Sequence, residues 1–287
     1  MKGIILAAGK GSRLYPTSLA VNKQLMPIYD KPMIYYPLTT LIENGINEIC
    51  IICNPEALSS FKDLLGDGSR FGVKIMYKVQ KVPKGIADAF IIAKSFLRNA
   101  DGVTLILGDN VFYGAKDVLE QAFLDFSSGA TVFGYKVNDP ERYGVVEFDR
   151  DGVALSIEEK PKNPKSNYAI PGFYIYDADV VEIAESLKPS KRGELEITDV
   201  NKVYLRNKTL RVSKLPRGTA WLDAGTCESF SDSSSYVQTI EKRQGIKIGC
   251  PEEAGYRSGF LTKAQFKKIV RQMPDSEYKD YLKHEEG

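Results

Sequence analysis

The chain has 287 residues, 43% of them hydrophobic and 26% charged, which is typical of a soluble globular protein and excludes a disordered or collagen-like chain. Its 39 lysines and arginines exceed its 37 acidic residues by two, so the net charge predicts neither nucleic acid nor a membrane surface as a partner. No apolar run approaches the roughly 20 residues of a membrane span. A short apolar run turns glycine-rich at the N-terminus, which predicts a first strand in a cytoplasmic protein rather than a signal peptide.

Cysteine and histidine are scarce, with four of the first and one of the second. Cys50 and Cys53 lie three residues apart in an apolar run, and residues at that spacing on a strand point to opposite faces. We therefore expect two buried thiols rather than a redox or metal pair. The single histidine, His284, lies in a charged tail, which disfavours a catalytic histidine. A zinc site is disfavoured for want of ligands.

Strand and helix patterns alternate in the first part of the chain. Apolar runs predict strands at residues 2–6, 48–53, 73–79 and 103–107, and helical periodicity predicts helices at 32–44, 55–65 and 85–97. This alternation implies right-handed crossovers and therefore an α/β fold with a Rossmann-like, doubly wound and largely parallel sheet.

From about residue 131 the pattern changes to strands with few helices between them. Strands are predicted at 131–137, 144–148, 155–159 and 169–176, with a hairpin turn at 149–152 and helices at 179–187, 196–205 and 230–244. We therefore predict a mixed sheet, an additional small β-rich part and a helical C-terminus, without a clear domain boundary.

Polar, glycine-bearing segments follow two of the predicted strands, at residues 7–13 and 108–110. Ligands of doubly wound sheets bind at such strand ends. A P-loop is excluded because Gly11 stands where that motif needs serine or threonine, and a dinucleotide fingerprint fails because Leu14 replaces its third glycine. Two interpretations stay open: backbone N–H groups that hold a phosphate, or glycines that only satisfy the geometry of a turn.

Two cations accompany the glycine-rich segment. Arg13 lies in it, and Lys23 lies in the segment 22–27 that follows. Such a pair could hold a triphosphate and stabilise a pyrophosphate leaving group. The alternative is that both are solvated surface charges, the usual state of lysine and arginine.

Ordered motifs along nearly the whole chain resemble the sugar-1-phosphate nucleotidyltransferases, and more specifically their glucose-1-phosphate thymidylyltransferase branch. The resemblance is carried by residues 3–32, 64–69, 107–114, 138–146, 158–161, 192–199 and 221–223. It implies that glucose 1-phosphate attacks the α-phosphorus of dTTP to give dTDP-glucose and pyrophosphate, a first step toward dTDP-rhamnose and related deoxysugars. That chemistry needs positioning, charge neutralisation and Mg²⁺ rather than a histidine base.

The resemblance also implies an organisation and partners. The chain would be one nucleotidyltransferase domain, residues 1–287, with a nucleotide-binding part at about 1–130, a sugar-binding part at about 131–227 and a helical part at about 228–287. A homotetramer is the usual state of the family. Feedback by a dTDP-sugar is expected at a second site, whose region matches Tyr113, Gly114, Arg217, Glu253 and Arg257.

Roles follow position by position from the same resemblance. Asp109 and Asp223 would bind Mg²⁺. Arg13 would stabilise the leaving pyrophosphate, Lys23 would contact the triphosphate, and Lys160 would hold the phosphate of the sugar; the alternative for Lys160 is a salt-bridged surface lysine. The catalytic set is thus Arg13, Lys23, Asp109 and Lys160.

Further positions would bind the two substrates. The nucleotide would contact Ala8, Gly9, Gly11, Ser12, Arg13, Lys23, Gln24, Gln80, Gly85 and Asp109, with the Gln80 amide at the pyrimidine edge and Gly85 giving the backbone close access to the base. The sugar would contact Tyr143, Gly144, Glu159, Lys160, the Ile170 backbone and Tyr174.

Some positions depart from the family pattern. Asp88 stands where many members carry glutamine near the nucleotide, and Pro171 stands where threonine is frequent. Ala224 and Cys227 replace a usual threonine and histidine. None of these changes removes a proposed ligand.

Three other functions are alternatives to thymidylyl transfer. A UTP-using uridylyltransferase would use the same phosphate-binding residues, because uracil and thymine differ by one methyl group. A non-catalytic nucleotide-sugar sensor is disfavoured because the proposed metal ligands and phosphate-binding cations are all present. A dinucleotide-dependent oxidoreductase is disfavoured by Leu14.

Overall fold

The computed structural model describes residues 1–285, so Glu286 and Gly287 of the predicted C-terminal part lie outside the described residues. The strands are β1 (Lys2–Ala7), β2 (Pro27–Ile28), β3 (Lys31–Pro32), β4 (Glu48–Cys53), β5 (Lys74–Val79), β6 (Val103–Leu107), β7 (Asn110–Tyr113), β8 (Ala130–Lys136), β9 (Gly144–Phe148), β10 (Ala154–Glu159), β11 (Tyr168–Ala169), β12 (Phe173–Tyr176), β13 (Leu210–Lys214) and β14 (Ala220–Asp223). The α-helices are α1 (Tyr35–Glu43), α2 (Leu58–Leu65), α3 (Asp88–Leu97), α4 (Lys116–Leu124), α5 (Val180–Ser186), α6 (Ile197–Arg206), α7 (Cys227–Gln244), α8 (Pro251–Arg257), α9 (Lys263–Gln272) and α10 (Glu277–His284).

One ten-stranded mixed sheet runs through the molecule in the order β10-β9-β11-β8-β12-β6-β1-β4-β5, with β13 beside β8. Strands β6, β1, β4 and β5 are parallel, whereas β12 is antiparallel to both β6 and β8. The predicted α/β fold with a mixed sheet is therefore confirmed. The predicted β-rich part is not a sheet of its own, because β12 joins its strands to the parallel strands.

Helices cover both faces of this sheet. Apolar residues of α1, α2 and α4 pack on one face, and those of α3, α5 and α6 pack on the other. Strands β1, β4 and β6 are apolar on both sides, which is the pattern of strands buried between two helix layers, whereas the edge strand β5 is partly exposed. Cys50 and Cys53 are buried in opposite layers, which confirms the prediction that these two thiols do not meet.

Two predicted elements differ from the structure. The predicted strand 169–176 is divided into β11 and β12, because Pro171 has no N–H to donate to a neighbouring strand. The N–H of the preceding Ile170 donates to the Gly144 carbonyl oxygen over 2.8 Å. The helix predicted from Gly85 begins at Asp88, since Gly85 has a left-handed φ of 100°. Strands β7, β13 and β14 and helix α4 had no sequence prediction.

Helix α7 is attached to the small β2–β3 hairpin by a buried ion-pair network. Lys31 Nζ lies 2.7 Å from Glu241 Oε1, and both side chains are almost fully buried. Lys247 Nζ lies 2.9 Å from the other oxygen of Glu241, and the Ile248 N–H donates to Oε1 over 2.8 Å. This network joins α7 to β3, next to the loop that follows β1. None of the helices in the described part of the chain is long and apolar enough to cross a membrane.

Glu241→Gln should lower the free energy of unfolding by about 3 kcal/mol, because it removes the buried one of the two carboxylates, Asp30 and Glu241, that pair with the buried Lys31 ammonium. The measurement is urea unfolding followed by circular dichroism. Glu185→Gln is the matched control, since it breaks the exposed pair with Lys94 and should cost less than about 1 kcal/mol. Equal effects of the two substitutions would contradict the assignment of a stabilising role to the buried network.

Candidate active site

The segment after β1 forms a tight loop over the end of that strand. Gly11 is left-handed, with φ of 62°, and its carbonyl oxygen accepts the Leu14 N–H over 2.8 Å. A Cβ at Gly9 would meet only Lys23, at 3.9 Å, so the backbone there is open on its other sides. The predicted phosphate-binding residues at this strand end are Ala8, Gly9, Gly11 and Ser12. Gly9 and Ser12 also line a groove of about 660 Å³ beside the loop.

Asn22 ties the next turn to β1. Its side-chain amide donates to the Ala7 carbonyl oxygen over 3.2 Å, and its side-chain oxygen accepts the Gln24 N–H over 2.9 Å. Gln24 packs against Gly108, where a Cβ would come within 2.9 Å of the Gln24 side chain. The Gln24 Oε1 atom is buried and has no partner among the described residues. Because an unpaired buried acceptor is costly, this atom is available for a donor from a ligand.

Asp109 follows β6, beside the loop after β1. Lys23 Nζ makes an ion pair with its Oδ2, and Asn110 Nδ2 donates to its Oδ1 over 3.1 Å. Burial by itself raises the pKa of Asp109, but the Lys23 ammonium outweighs burial, so the pKa lies below its usual value. The carboxylate is therefore charged at neutral pH and is held at both oxygens.

Strand β14 brings Asp223 to the same place from far along the chain. It pairs antiparallel with β7, so that Asp223 lies opposite Asn110, and the Ala224 N–H donates to the Asp109 carbonyl oxygen over 3.0 Å. Burial, and after it the negative charge of Asp109, raises the pKa of Asp223. Two half-buried carboxylates that repel each other form a site that a bound cation would stabilise.

The chemistry of this pair fits Mg²⁺, which takes one or two carboxylates together with phosphate oxygens and water. Within residues 1–285, no group of three or more histidine, cysteine, aspartate or glutamate side chains could hold a metal ion. Asp109 and Asp223 therefore fit a metal that also takes ligands from a bound phosphate.

Asn110 is the buried junction of this region. Its Oδ1 accepts from Trp221 Nε1 over 2.6 Å and from the Gly172 N–H over 3.0 Å. Because both donors are on the oxygen side, its Nδ2 faces Asp109. The sequence reasoning did not single out Asn110, and its position next to Asp109 was the only signal.

A cavity of about 500 Å³ opens beside the two carboxylates. The residues predicted to contact the sugar all line it: Tyr143, Gly144, Glu159, Lys160, Ile170 and Tyr174. Arg13, Asp109 and Asp223 line it on the other side. Burial, and then the charge of Asp223, raises the pKa of Tyr143 to about 12, so Tyr143 keeps a neutral hydroxyl at pH 7.

Glu159 is held in place by its neighbours. Its Oε2 accepts from Thr198 Oγ1 over 2.5 Å, and its Oε1 accepts from Arg192 Nη2 over 3.4 Å. Gly144 lies opposite Glu159 in the β9–β10 pair, where a Cβ would come within 3.2 Å of Thr198 Oγ1. A side chain at Gly144 would therefore crowd the hydrogen bond that orients Glu159.

Lys160 follows β10 with a left-handed φ of 44°. Its N–H donates to the Tyr143 carbonyl oxygen over 3.0 Å, and its Nζ lies 3.9 Å from Glu159 Oε1. This backbone conformation costs a non-glycine residue about 1 kcal/mol, and such strain clusters at ligand sites. The weak, half-exposed ion pair leaves the ammonium available to a ligand in the cavity.

Gln80 and Gly85 lie apart from the 500 Å³ cavity, and neither lines it. Gln80 follows β5 and is buried, and its Nε2 donates to Asp88 Oδ2 over 2.8 Å. A Cβ at Gly85 would lie 2.4 Å from the Leu195 carbonyl oxygen. The close approach of Leu195 therefore explains why residue 85 is a glycine, and the sequence alone did not indicate this contact. The approach of Gly85 to a base stays a prediction.

The residues of the predicted second site fall around two adjoining grooves. Tyr113 and Gly114 line one of about 370 Å³, and Glu253 and Arg257 line another of about 570 Å³. Arg217 lines neither of these two grooves.

Several polar residues of the cavity were not singled out from the sequence: Asn110, Arg142, Arg192, Glu194, Glu196, Thr198 and Asn201. Arg192 donates two hydrogen bonds to the Glu196 carboxylate, from Nε over 3.0 Å and from Nη2 over 2.7 Å. The charged motif 192–196 was the available signal, because an arginine fork matched to a carboxylate is unusual on a plain surface.

Comparison with known proteins identifies the family. The sequence model of the nucleotidyl transferase family matches residues 2–239. A glucose-1-phosphate thymidylyltransferase from Neisseria gonorrhoeae is 52% identical over 286 residues, 99% of each chain, and one from Mycolicibacterium smegmatis is 51% identical over 282 residues, 98% of each. A solved structure from Bacillus anthracis, described as a glucose-1-phosphate thymidylyltransferase with a sucrose, is 40% identical with a TM-score of 0.78, covering 88% of this chain and 98% of that chain. The chain belongs to the nucleotidyl transferase family and, within it, to the glucose-1-phosphate thymidylyltransferases, which confirms the resemblance seen in the sequence.

Asp109→Asn should lower the pKa of Asp223 in the metal-free protein. The substitution removes a neighbouring negative charge and frees the Lys23 ammonium, and both changes favour the ionised form of Asp223. The measurement is an NMR titration of side-chain carboxyl carbons, with Glu194→Gln as the control for loss of an acid at the rim of the cavity. An unchanged Asp223 pKa would show that burial alone sets it.

Proposed function

We propose that the protein transfers the thymidylyl group of dTTP to α-D-glucose 1-phosphate, which gives dTDP-glucose and pyrophosphate. The observation that carries the proposal is that strand pairing brings Asp223 next to Asp109, and that both line one cavity with Arg13 and Lys160. The names of the relatives at about half identity support the same reaction.

The reaction is a single displacement at phosphorus. A phosphate oxygen of glucose 1-phosphate bonds to the α-phosphorus of dTTP, the bond from that phosphorus to the oxygen of the β-phosphate breaks, and pyrophosphate leaves with the electron pair. The sugar phosphate is already an anion at neutral pH, so no base has to remove a proton from it. The protein contributes positioning and charge neutralisation.

Different charged side chains would bind the phosphates of the two substrates. Arg13 and Lys23 lie at the loop and would bind the triphosphate and stabilise the leaving pyrophosphate. Lys160, on the other side of the carboxylates, would bind the phosphate of the sugar. Asp109 and Asp223 would hold Mg²⁺, which when bound neutralises charge on the phosphates and aligns them.

Hydrogen-bonding groups would select the sugar and the base. Glu159, oriented by Thr198, would accept hydrogen bonds from sugar hydroxyls, and the backbone of Gly144 and Ile170 would line the ring. Gln80 and Gln24 would contact the base. The methyl group that separates thymine from uracil is worth about 1–3 kcal/mol of discrimination.

The remaining features of the proposal concern the cell. We place the enzyme in the cytoplasm as a homotetramer whose product enters the synthesis of dTDP-rhamnose and related deoxysugars. Feedback by a dTDP-sugar would act at the adjoining grooves beside Tyr113 and Glu253. No nucleic acid or membrane partner is proposed.

Purified protein should release pyrophosphate from dTTP in the presence of glucose 1-phosphate and Mg²⁺, and EDTA should abolish the release. Asp109→Asn and Asp223→Asn should each reduce kcat by about a hundredfold or more, because each removes half of the carboxylate pair. Glu194→Gln, at the exposed rim of the same cavity, is the control for loss of a carboxylate.

The outcomes of that assay test the base preference, the metal site and the reaction separately. Turnover led by UTP would keep the reaction and overturn the base. Near-normal kcat in both aspartate variants would overturn the metal site. Folded protein that binds dTTP but turns over no nucleotide would overturn the proposed reaction.

Lys160→Ala should raise the KM for glucose 1-phosphate about tenfold, because a charge-assisted hydrogen bond to phosphate is lost. The KM for dTTP should change little. Lys162→Ala is the matched control, since Lys162 is exposed and lies outside the cavity. An unchanged KM for the sugar phosphate in Lys160→Ala would refute the role of Lys160.

A further inference from the structure

Asn201 places a buried donor without a partner in the wall of the 500 Å³ cavity. It lies on α6, is 1% exposed and lines the cavity together with Thr198, one helical turn earlier. Its Oδ1 accepts a hydrogen bond from the Tyr176 hydroxyl over 2.5 Å. Its Nδ2 is buried and has no hydrogen-bond partner among the described residues. The amide nitrogen is therefore the polar atom of this side chain that still needs an acceptor.

Tyr176 fixes the orientation of that amide. It is fully buried between Tyr174 and Tyr204, whose rings stack on it at centroid distances of 6.1 and 5.5 Å. Burial raises the pKa of Tyr176 well above its usual value, so its hydroxyl keeps a proton that needs an acceptor. In the flipped amide that proton would face an NH₂ group, which accepts no hydrogen bond. Oδ1 therefore faces Tyr176, and Nδ2 is left for another acceptor.

The cavity is where such an acceptor can lie. Asn201 lines the cavity and Tyr176 does not, so the side of the amide opposite Tyr176 is the side toward the cavity. The Thr198 hydroxyl beside it is already used, since it donates to Glu159. A sugar bound between Glu159 and Lys160 would bring hydroxyl groups, whose oxygens accept hydrogen bonds as well as donate them. A buried donor that faces a sugar pocket is therefore matched to one of these oxygens.

We propose that Asn201 is a specificity-determining residue whose Nδ2 donates to one hydroxyl oxygen of the bound sugar phosphate. The inference rests on the proposed function, in which glucose 1-phosphate occupies this cavity. A sugar that lacks that hydroxyl would leave the buried donor unpaired, and sites built to bind a hydroxyl reject analogues without it. Tyr176 holds the amide in place without lining the cavity, so it is a positioning residue.

The test measures kcat/KM for glucose 1-phosphate and for its 2-, 3-, 4- and 6-deoxy analogues. The variant combines Asn201→Leu with Tyr176→Phe, which replaces both hydrogen-bonding partners with apolar groups of similar shape and should leave the fold nearly unaffected. Its kcat/KM for glucose 1-phosphate should fall about fivefold, through KM, whereas the value for one of the deoxy analogues should not fall. Tyr204→Phe is the matched control, since it removes a hydroxyl of the same ring stack that donates to Asp177 and not to Asn201.

Calorimetric binding of the same sugar phosphates, with Mg²⁺ and the α,β-methylene analogue of dTTP present, separates this inference from the proposed reaction. That nucleotide analogue cannot transfer its group, so binding is measured without turnover. Suppose that one missing hydroxyl weakens binding to the wild type and not to the double variant. The inference would then stand, even if dTTP released no pyrophosphate and the proposed reaction were refuted.

Three results would overturn the inference. The first is a deoxy series that loses affinity equally in the wild type and in the double variant, because a water molecule would then pair with Nδ2. The second is a wild type that turns over glucose 1-phosphate but does not distinguish it from any deoxy analogue. The third is loss of folding in both the double variant and Asn201→Ala, since the amide would then serve the fold alone.

Discussion

The candidate site depends on the antiparallel pairing of β7 with β14. This pairing places Asp223 opposite Asn110 and therefore beside Asp109, which lies between β6 of the central sheet and β7. The side chain of Asn110 connects the two small strands to the large sheet, because its oxygen accepts from both Trp221 and Gly172 while its nitrogen holds Asp109. Without these hydrogen bonds of Asn110, the distance between the two carboxylates would not be fixed. The position of the loop after β1 relative to the cavity would not be fixed either.

The electrostatics of the site follow from the same arrangement. Asp109 and Asp223 are both half-buried, but only Asp109 has a lysine on one of its oxygens, so the pKa of Asp109 is lowered while that of Asp223 is raised. The pair is therefore asymmetric, because the ionised form is favoured at Asp109 and disfavoured at Asp223. Amide orientation is set in a similar way at Asn110 and at Gln80, where a neighbouring aspartate faces the nitrogen.

Sequence predicted the parts of the fold that depend on continuous apolar runs. Strands β4 and β6 lie where the runs predicted them, because strands buried on both faces need apolar residues throughout. Strands β7 and β14 were missed because each has four residues and polar members. The proximity of Asp109 and Asp223 came from a family resemblance, since no local spacing predicts a pairing between distant strands. Asn110 was missed because its partners Gly172 and Trp221 are distant in sequence, whereas Arg192 and its partner Glu196 lie close together in a charged motif and could have been found.

The position of β12 has a mechanical consequence. Its hydrogen bonds to β6 on one side and to β8 on the other make one uninterrupted sheet out of the strands that carry the phosphate loop and those that line the cavity. The two halves of the sheet therefore cannot open and close by a hinge motion, because that motion would break the hydrogen bonds of β12 to β6 or to β8. The separation between the loop after β1 and the cavity is set by strand register, so motion at the site is left to loops and side chains at the edge of the sheet.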